Sequence, residues 1–241
     1  MTVPLPASAR LAWWGTAWLR GHVVTDQVVD AVLADDATHT ISGPDGTDPL
    51  ALGLGRIRAA GGTGIGLALP TEGDLLGLGG PGAFNAAALE AGEAAVAVGA
   101  PLGLVPVRVG AAVTWCVHPA DRRQLPDVGE ADRALRSALL ETADALAALE
   151  VAKWRPEVAD ELMNLRHPTP AVAPSGVPGR CLDLAGRGLQ AMTIVDLALA
   201  DDGGAVTAWE IEQRREALVP LERAGRRALV AACSPEAWPP N

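Results

Sequence analysis

Helices alternating with short β-branched runs in the first half, and helical periodicity without strand signals in the second, predict an α+β or α/β chain. The expected architecture is a small mixed sheet with helices over residues 1–120, packed on a C-terminal helical bundle over residues 128–235. Glycine-rich, uneven sequence marks the first stretch, and Ala, Leu, Arg and Glu mark the second. Between them lies the polar junction Asp121–Val128, which contains Pro126. A chain of 241 residues, 49% hydrophobic, can bury a substantial core without covalent staples, so the two regions read as one integrated unit.

Taken in order, Leu11–Arg20 reads as a short helix stopped by Gly21. Thr25 caps a second, Asp26–Ala34, whose apolar side is Val28, Val29, Val32 and Leu33. Thr38–Ser42 is a short strand, followed by turn chemistry at Gly43-Pro44-Asp45-Gly46. Asp48-Pro49 fits an N-cap with proline at the first helical position, opening a helix to Ala60. Ile65–Leu69 is a strand, 70–82 a loop, and Ala83–Ala91 a helix ending at Gly92. Three β-branched runs follow, Ala94–Val98, Leu104–Val109 and Val113–Val117, in a sheet expected to be partly parallel early and antiparallel late.

Asp127 and Glu130 form a capping-box pattern at the head of a long helix. Pro156 starts another to about Arg166, and 167–180 is a loop. Helices Leu182–Ala200 and Val206–Leu218 come next, the latter opened by Thr207 and Glu210. Pro220 then starts or kinks a last segment to Cys233. These make four or five amphipathic helices.

Nineteen basic residues against 29 acidic ones leave a formal charge of −10. Each half of the chain is net −5, so neither is a basic module, and neither nucleic acid nor membrane is an expected partner. All the bases but Lys153 are arginine, and Tyr is absent, a pattern of GC-rich coding rather than of function. Cys116, Cys181 and Cys233 are too scattered for a disulfide frame, and the N-terminus carries no export signal. A cytoplasmic protein is expected. Residues 94–117 are apolar apart from Arg108, but three glycines and two prolines interrupt them, which suits buried strands and not a membrane span.

Several motifs invite chemistry. The glycines of 61–66 follow a helix and precede a strand, the reverse of a nucleotide-binding loop. Cys116 and His118 share a strand face, yet Trp115 and Val117 around them suggest burial and an inert thiol. The four histidines are too dispersed for a metal site. No catalytic set, metal site or cofactor follows. In the loop 70–82, Glu72 and Asp74 sit close enough in extended chain for acid–base work or a hard cation. Gly80 and Gly82 lead into a helix N-terminus that could receive an anion. Leu76 and Leu78 make the same loop a candidate docking edge. Trp13, Trp14 and Trp18 form an aromatic patch around one short helix, which can serve packing or an interface.

The segment running from Glu72 to Glu93 resembles an uncharacterised actinobacterial protein family. So does the closing pattern Asp196…Asp202-Gly-Gly-Ala…Arg214…Leu221…Arg227. The resemblance implies a recurring fold and carries over no catalytic residues. The functional expectation is therefore a non-enzymatic interaction or scaffold protein that binds a protein partner or itself. The alternative is a small-ligand binder or hydrolytic enzyme using loop 70–82 through Glu72, Asp74, Gly80 and Gly82.

Overall fold

A computed structural model describes residues 4–148, 172–199 and 208–239. Its elements in chain order are α1 (Ala7–Leu19), α2 (Thr25–Leu33), β1 (Thr38–Gly43), β2 (Gly46–Pro49), α3 (Leu50–Ala59), β3 (Gly64–Ala68), α4 (Gly82–Ala91), β4 (Ala94–Val98), β5 (Leu102–Val109) and β6 (Ala112–Pro119), then the long helices α5 (Val128–Ala148), α6 (Gly179–Leu199) and α7 (Ala208–Ala232). The protein is α+β, with its sheet in the N-terminal half and long helices behind it. The helix expected from Pro156 and the Thr207–Glu210 cap lie outside the described residues.

The six strands form one sheet in the order β2-β1-β6-β5-β4-β3. Side chains alternate across it, as strand geometry dictates. Ile65, Leu67, Ala95, Ala97, Leu104, Val113 and Trp115 face a large core shared with α1, α3 and the long helices. Ala68, Ala94, Val96 and Val105 face a small second core under Phe84 and Ala88 of α4. The expected early parallel pairing is corrected. β3 and β4 are antiparallel although α4 joins them, and the parallel pair is β1 with β6, far apart in sequence.

Three further expectations change for physical reasons. Asp48 is not a helix cap: it lies in β2, paired opposite Ile41, and its carboxylate meets Arg56 Nε at 2.6 Å. Thr25 is the first residue of α2 rather than its cap, and its hydroxyl accepts a hydrogen bond from Trp18 Nε1 at 3.0 Å. Pro220 does not separate two helices. It sits inside α7, a single 25-residue helix anchored on both sides of it by Leu218 and Leu221 in the core. By contrast Asp127 caps α5 as expected, its Oδ1 accepting from the backbone N–H groups of Gly129 and Glu130.

β3 is an edge strand, and its outward backbone groups are satisfied by side chains instead of another strand. Thr16 Oγ1 of α1 accepts from Ile65 N–H at 2.8 Å and donates to Ile65 C=O at 2.9 Å. Two residues on, Leu67 N–H donates to Ser234 Oγ at 3.2 Å. A buried edge left unpaired loses both bonds and the cost of desolvating each group. Thr16→Val, nearly isosteric, is expected to lower stability by about 2 kcal/mol, read by urea denaturation. An unchanged midpoint would mean that water replaces the hydroxyl.

Candidate functional site

Loop 70–82, the strap 120–127 between β6 and α5, and the tail 234–238 after α7 converge beside β3. Arg123 ties them together. Its guanidinium lies across Gly66, where any side chain would collide with it. Nη1 donates to the carbonyls of Leu67 (2.8 Å) and Gly77 (3.1 Å), Nη2 donates to Ser234 Oγ (3.3 Å), and Nε and Nη2 both bond the Glu236 carboxylate at 3.0–3.1 Å. The side chain is only 4% exposed. A charge so deeply buried is tolerable only because every donor direction is met.

On the far side of the loop, Arg226 of α7 makes a second, smaller clamp. Its Nη1 donates to Leu69 C=O at 2.8 Å and its Nη2 to Asp74 Oδ2 at 3.1 Å. Asp74 therefore fastens the loop to α7. It does not sit beside Glu72 in extended chain as the spacing suggests. Thr71 and Asp74 exchange both backbone hydrogen bonds at 2.9 Å across a two-residue turn. Gly73 adopts the positive φ of +77° that this turn needs. Glu72 occupies the turn tip, exposed to solvent.

The other candidates are placed as follows. Leu76 and Leu78 are 6% and 9% exposed, one in each core, so the expected docking edge is turned inward. Gly80 N–H is committed to Asn85 Oδ1 at 3.1 Å, while Gly82 opens α4 and is exposed. Trp13 is fully buried, with Nε1 donating to Ala232 C=O at 3.1 Å. Trp14 is half-buried. Trp18 is half-buried under the Arg58 guanidinium, 3.7 Å from the ring centre. Helix α1 buries both faces because it lies between β3 and α2, with Trp13 reaching the end of α7. Cys181 and Cys233 are buried thiols, the first pushed up to about 11 and the second raised well above its ordinary value by burial. Both stay protonated and unreactive.

One constellation escaped the sequence: an Asp–His pair, with His39 Nε2 2.9 Å from Asp36 Oδ2. Its resemblance to a catalytic pair ends at the other ring nitrogen. Trp115 Nε1 points at His39 Nδ1 from 3.1 Å, and an indole N–H can only donate. Nδ1 is thus an acceptor, Nε2 carries the proton toward Asp36, and no nitrogen is left to take a proton from a substrate. Arg10 and Arg108 complete the cluster, at 3.1 Å and 2.6 Å from the Asp36 carboxylate.

The Arg108 hydrogen bond, with help from His39, holds the Asp36 carboxyl down to about 2 against the opposing effect of burial. Burial lowers His39 below the ordinary imidazole value, outweighing Asp36. Both folded values are depressed, so both stabilise at higher pH. Below about 6.5 the unfolded chain takes up a proton at His39 that the folded chain resists, and stability falls. The Asp36 contribution is full above about 4 and disappears as pH drops toward 2. The expected result is a thermal midpoint that declines between pH 7 and 5 in the wild type and more shallowly in His39→Gln. Parallel profiles would contradict it.

Two hollows flank the strap. The smaller, about 370 Å³, lies between loop residues 74–78, strap residues 124–126, Glu130 and Arg227. The larger, about 780 Å³ and half-open, lies between residues 96–101 at the β4–β5 turn, strap residues 120–127 and tail residues Glu236, Ala237 and Trp238. Apolar surface comes from Pro101, Leu125, Pro126 and Trp238, whose Nε1 donates to Ala232 C=O. Charged groups on it are Asp121, Arg122, Asp127 and the Arg123–Glu236 pair. Among the described residues no group of three His, Cys, Asp or Glu side chains is placed to hold a metal, and no helix is long and apolar enough to cross a membrane.

Two family models divide the chain at the strap and the start of α5. The N-terminal domain of Rv1486c-like proteins matches residues 8–131, and their C-terminal domain matches residues 129–230. The chain belongs to the Rv1486c-like family. It is 32% identical over 289 aligned positions to the uncharacterised protein Rv1486c of Mycobacterium tuberculosis strain H37Rv. That alignment covers 96% of this chain and 98% of the relative. The uncharacterised protein MT1533 of strain CDC 1551 is similar at 31% with the same coverage. This is the uncharacterised actinobacterial family that the Glu72–Glu93 segment resembles. No solved structure matches the chain.

Proposed function

We propose that this Rv1486c-like protein is a non-enzymatic cytoplasmic binding protein whose site is the 780 Å³ hollow between the strap and the tail. The hollow carries this reading. It has the volume of a small-ligand site and combines apolar walls with a few charged groups. The reactive-looking groups elsewhere support it by being spent: Asp74 on Arg226, Gly80 N–H on Asn85, His39 on Asp36 and Trp115. The site thus moves from loop 70–82 to the far side of the strap that the loop supports.

The test is a fragment screen by ligand-observed NMR. Hits should compete with one another and disappear in Ala237→Phe, which fills the hollow from the tail, with the circular dichroism spectrum kept. A saturating hit, at about 100 times its dissociation constant, should stabilise by about 2.7 kcal/mol. Absence of hits, or hits indifferent to Ala237→Phe, would overturn the reading.

A second reading, a scaffold that associates with itself or a protein partner, is favoured by exposed Leu140 on α5 and by Trp209 and Val219 on α7, each at least half exposed. Sedimentation of the full chain that stays monomeric across the micromolar range would remove the self-association form of it.

A further inference from the structure

Resting on the binding reading above, we propose that the hollow takes a small organic cation: an ammonium or guanidinium group carried on an apolar or aromatic body. The charges on the hollow's own walls favour such a group. Arg123 is the buried base, and its charge is matched by Glu236 in a bidentate contact at 3.0 Å. Asp121 and Asp127 are both exposed, and neither is ion-paired among the described residues. Asp127 spends Oδ1 on capping α5, and among the described residues no hydrogen bond uses its Oδ2. Against these two carboxylates stands one exposed base on the walls, Arg122, with Arg133 and Arg180 behind Asp127 at Gly129.

The walls themselves therefore carry a surplus of one negative charge on a molecule already at −10, which favours a cation over an anion. Its apolar part includes an indole, a leucine, two prolines and two valines, which suits a flat or aliphatic body. Trp238 already attracts one cation, with the Arg20 guanidinium 5.4 Å from its ring centre. The volume limits the occupant to the size of a metabolite.

Three probes of nearly one shape separate the ideas: tryptamine, 3-methylindole and indole-3-propionate, which are cationic, neutral and anionic. Calorimetry and ligand-observed NMR at low salt are expected to show tryptamine bound best and indole-3-propionate least. Tryptamine binding should weaken about fivefold in the double variant Asp121→Asn, Asp127→Asn, since two partly solvated ion pairs are lost. Asparagine is itself a good N-cap, so α5 keeps its start. The difference between probes should shrink as salt is raised from 20 to 200 mM.

If the three probes bind alike, or if the double variant binds tryptamine as the wild type does, the cation proposal falls while the hollow stands as a site. If no probe binds and the fragment screen is also empty, both fall. Binding that survives Ala237→Phe places the cation elsewhere and overturns the proposal.

Discussion

Arg123→Met is expected to cost about 3–5 kcal/mol of folding stability, the range for breaking a buried charge pair by removing one partner. The methionine fills much of the volume, so the loss is electrostatic and polar rather than a cavity. It leaves the carbonyls of Leu67 and Gly77 without this donor and Glu236, 30% exposed, without its cation. Arg123→Lys should recover only part of the loss, because one ammonium cannot span carbonyl, hydroxyl and carboxylate partners as the planar fork does. Glu236→Gln should cost less than Arg123→Met, since it leaves the buried Arg123 charge without its carboxylate but keeps the two carbonyl bonds. Urea denaturation of the three variants gives the order. Arg123→Met within about 1 kcal/mol of wild type would show that the tail and loop hold their places without the clamp.

That clamp also explains which parts of this protein were legible in its sequence. Periodicity and punctuation located α4 and its stop at Gly92, the three runs of β4–β6 and the Asp127 cap, because each depends on residues within a few positions of one another. The failures that change the architecture are long-range. Pro220 looks like a boundary from its neighbours, yet Leu218 and Leu221 are held in the core on either side of it and one helix runs through. Asp48-Pro49 has the chemistry of a helix start, but pairing with β1 claims those residues for the sheet edge. The parallel β1–β6 contact joins segments some seventy residues apart, beyond any local signal.

The candidate site follows the same rule. Glycines and leucines pointed to loop 70–82, and the loop does lie where three chain segments meet. What decides its role is Arg226, 152 positions from Asp74, and Arg123, 113 positions from Glu236. As sequence, Arg226 belongs to an ordinary-looking basic helix face, and nothing nearby marks Arg123 as buried. The Asp36–His39 pair is only three residues apart, yet that spacing alone does not mark it. Its meaning depends on Trp115, 76 positions from His39, which turns a would-be base into a hydrogen-bond acceptor.

Gly188→Leu and Gly225→Leu should each destabilise by about 3 kcal/mol or more, as overpacking where backbone meets backbone. These two glycines are where α6 and α7 cross. A methyl group added at Gly188 would stand 2.9 Å from Gly225 C=O and 3.1 Å from Ala228 Cβ, and one added at Gly225 would stand 3.0 Å from Gly188 C=O. Ala191, Ala224 and Ala228 around them are likewise small and buried. In a helix each glycine costs up to about 1 kcal/mol relative to alanine, so its use here is repaid by the close approach of the two rods. Gly186, two positions before Gly188 in α6, supplies the control, since nothing lies within 4 Å of a methyl added there. Gly186→Ala should therefore stabilise by up to about 1 kcal/mol, through propensity alone, while Gly188→Ala should fail to stabilise. Opposite signs at positions 186 and 188 in one denaturation series would identify the crossing itself as the cause, and equal gains at both would refute the close packing of α6 on α7.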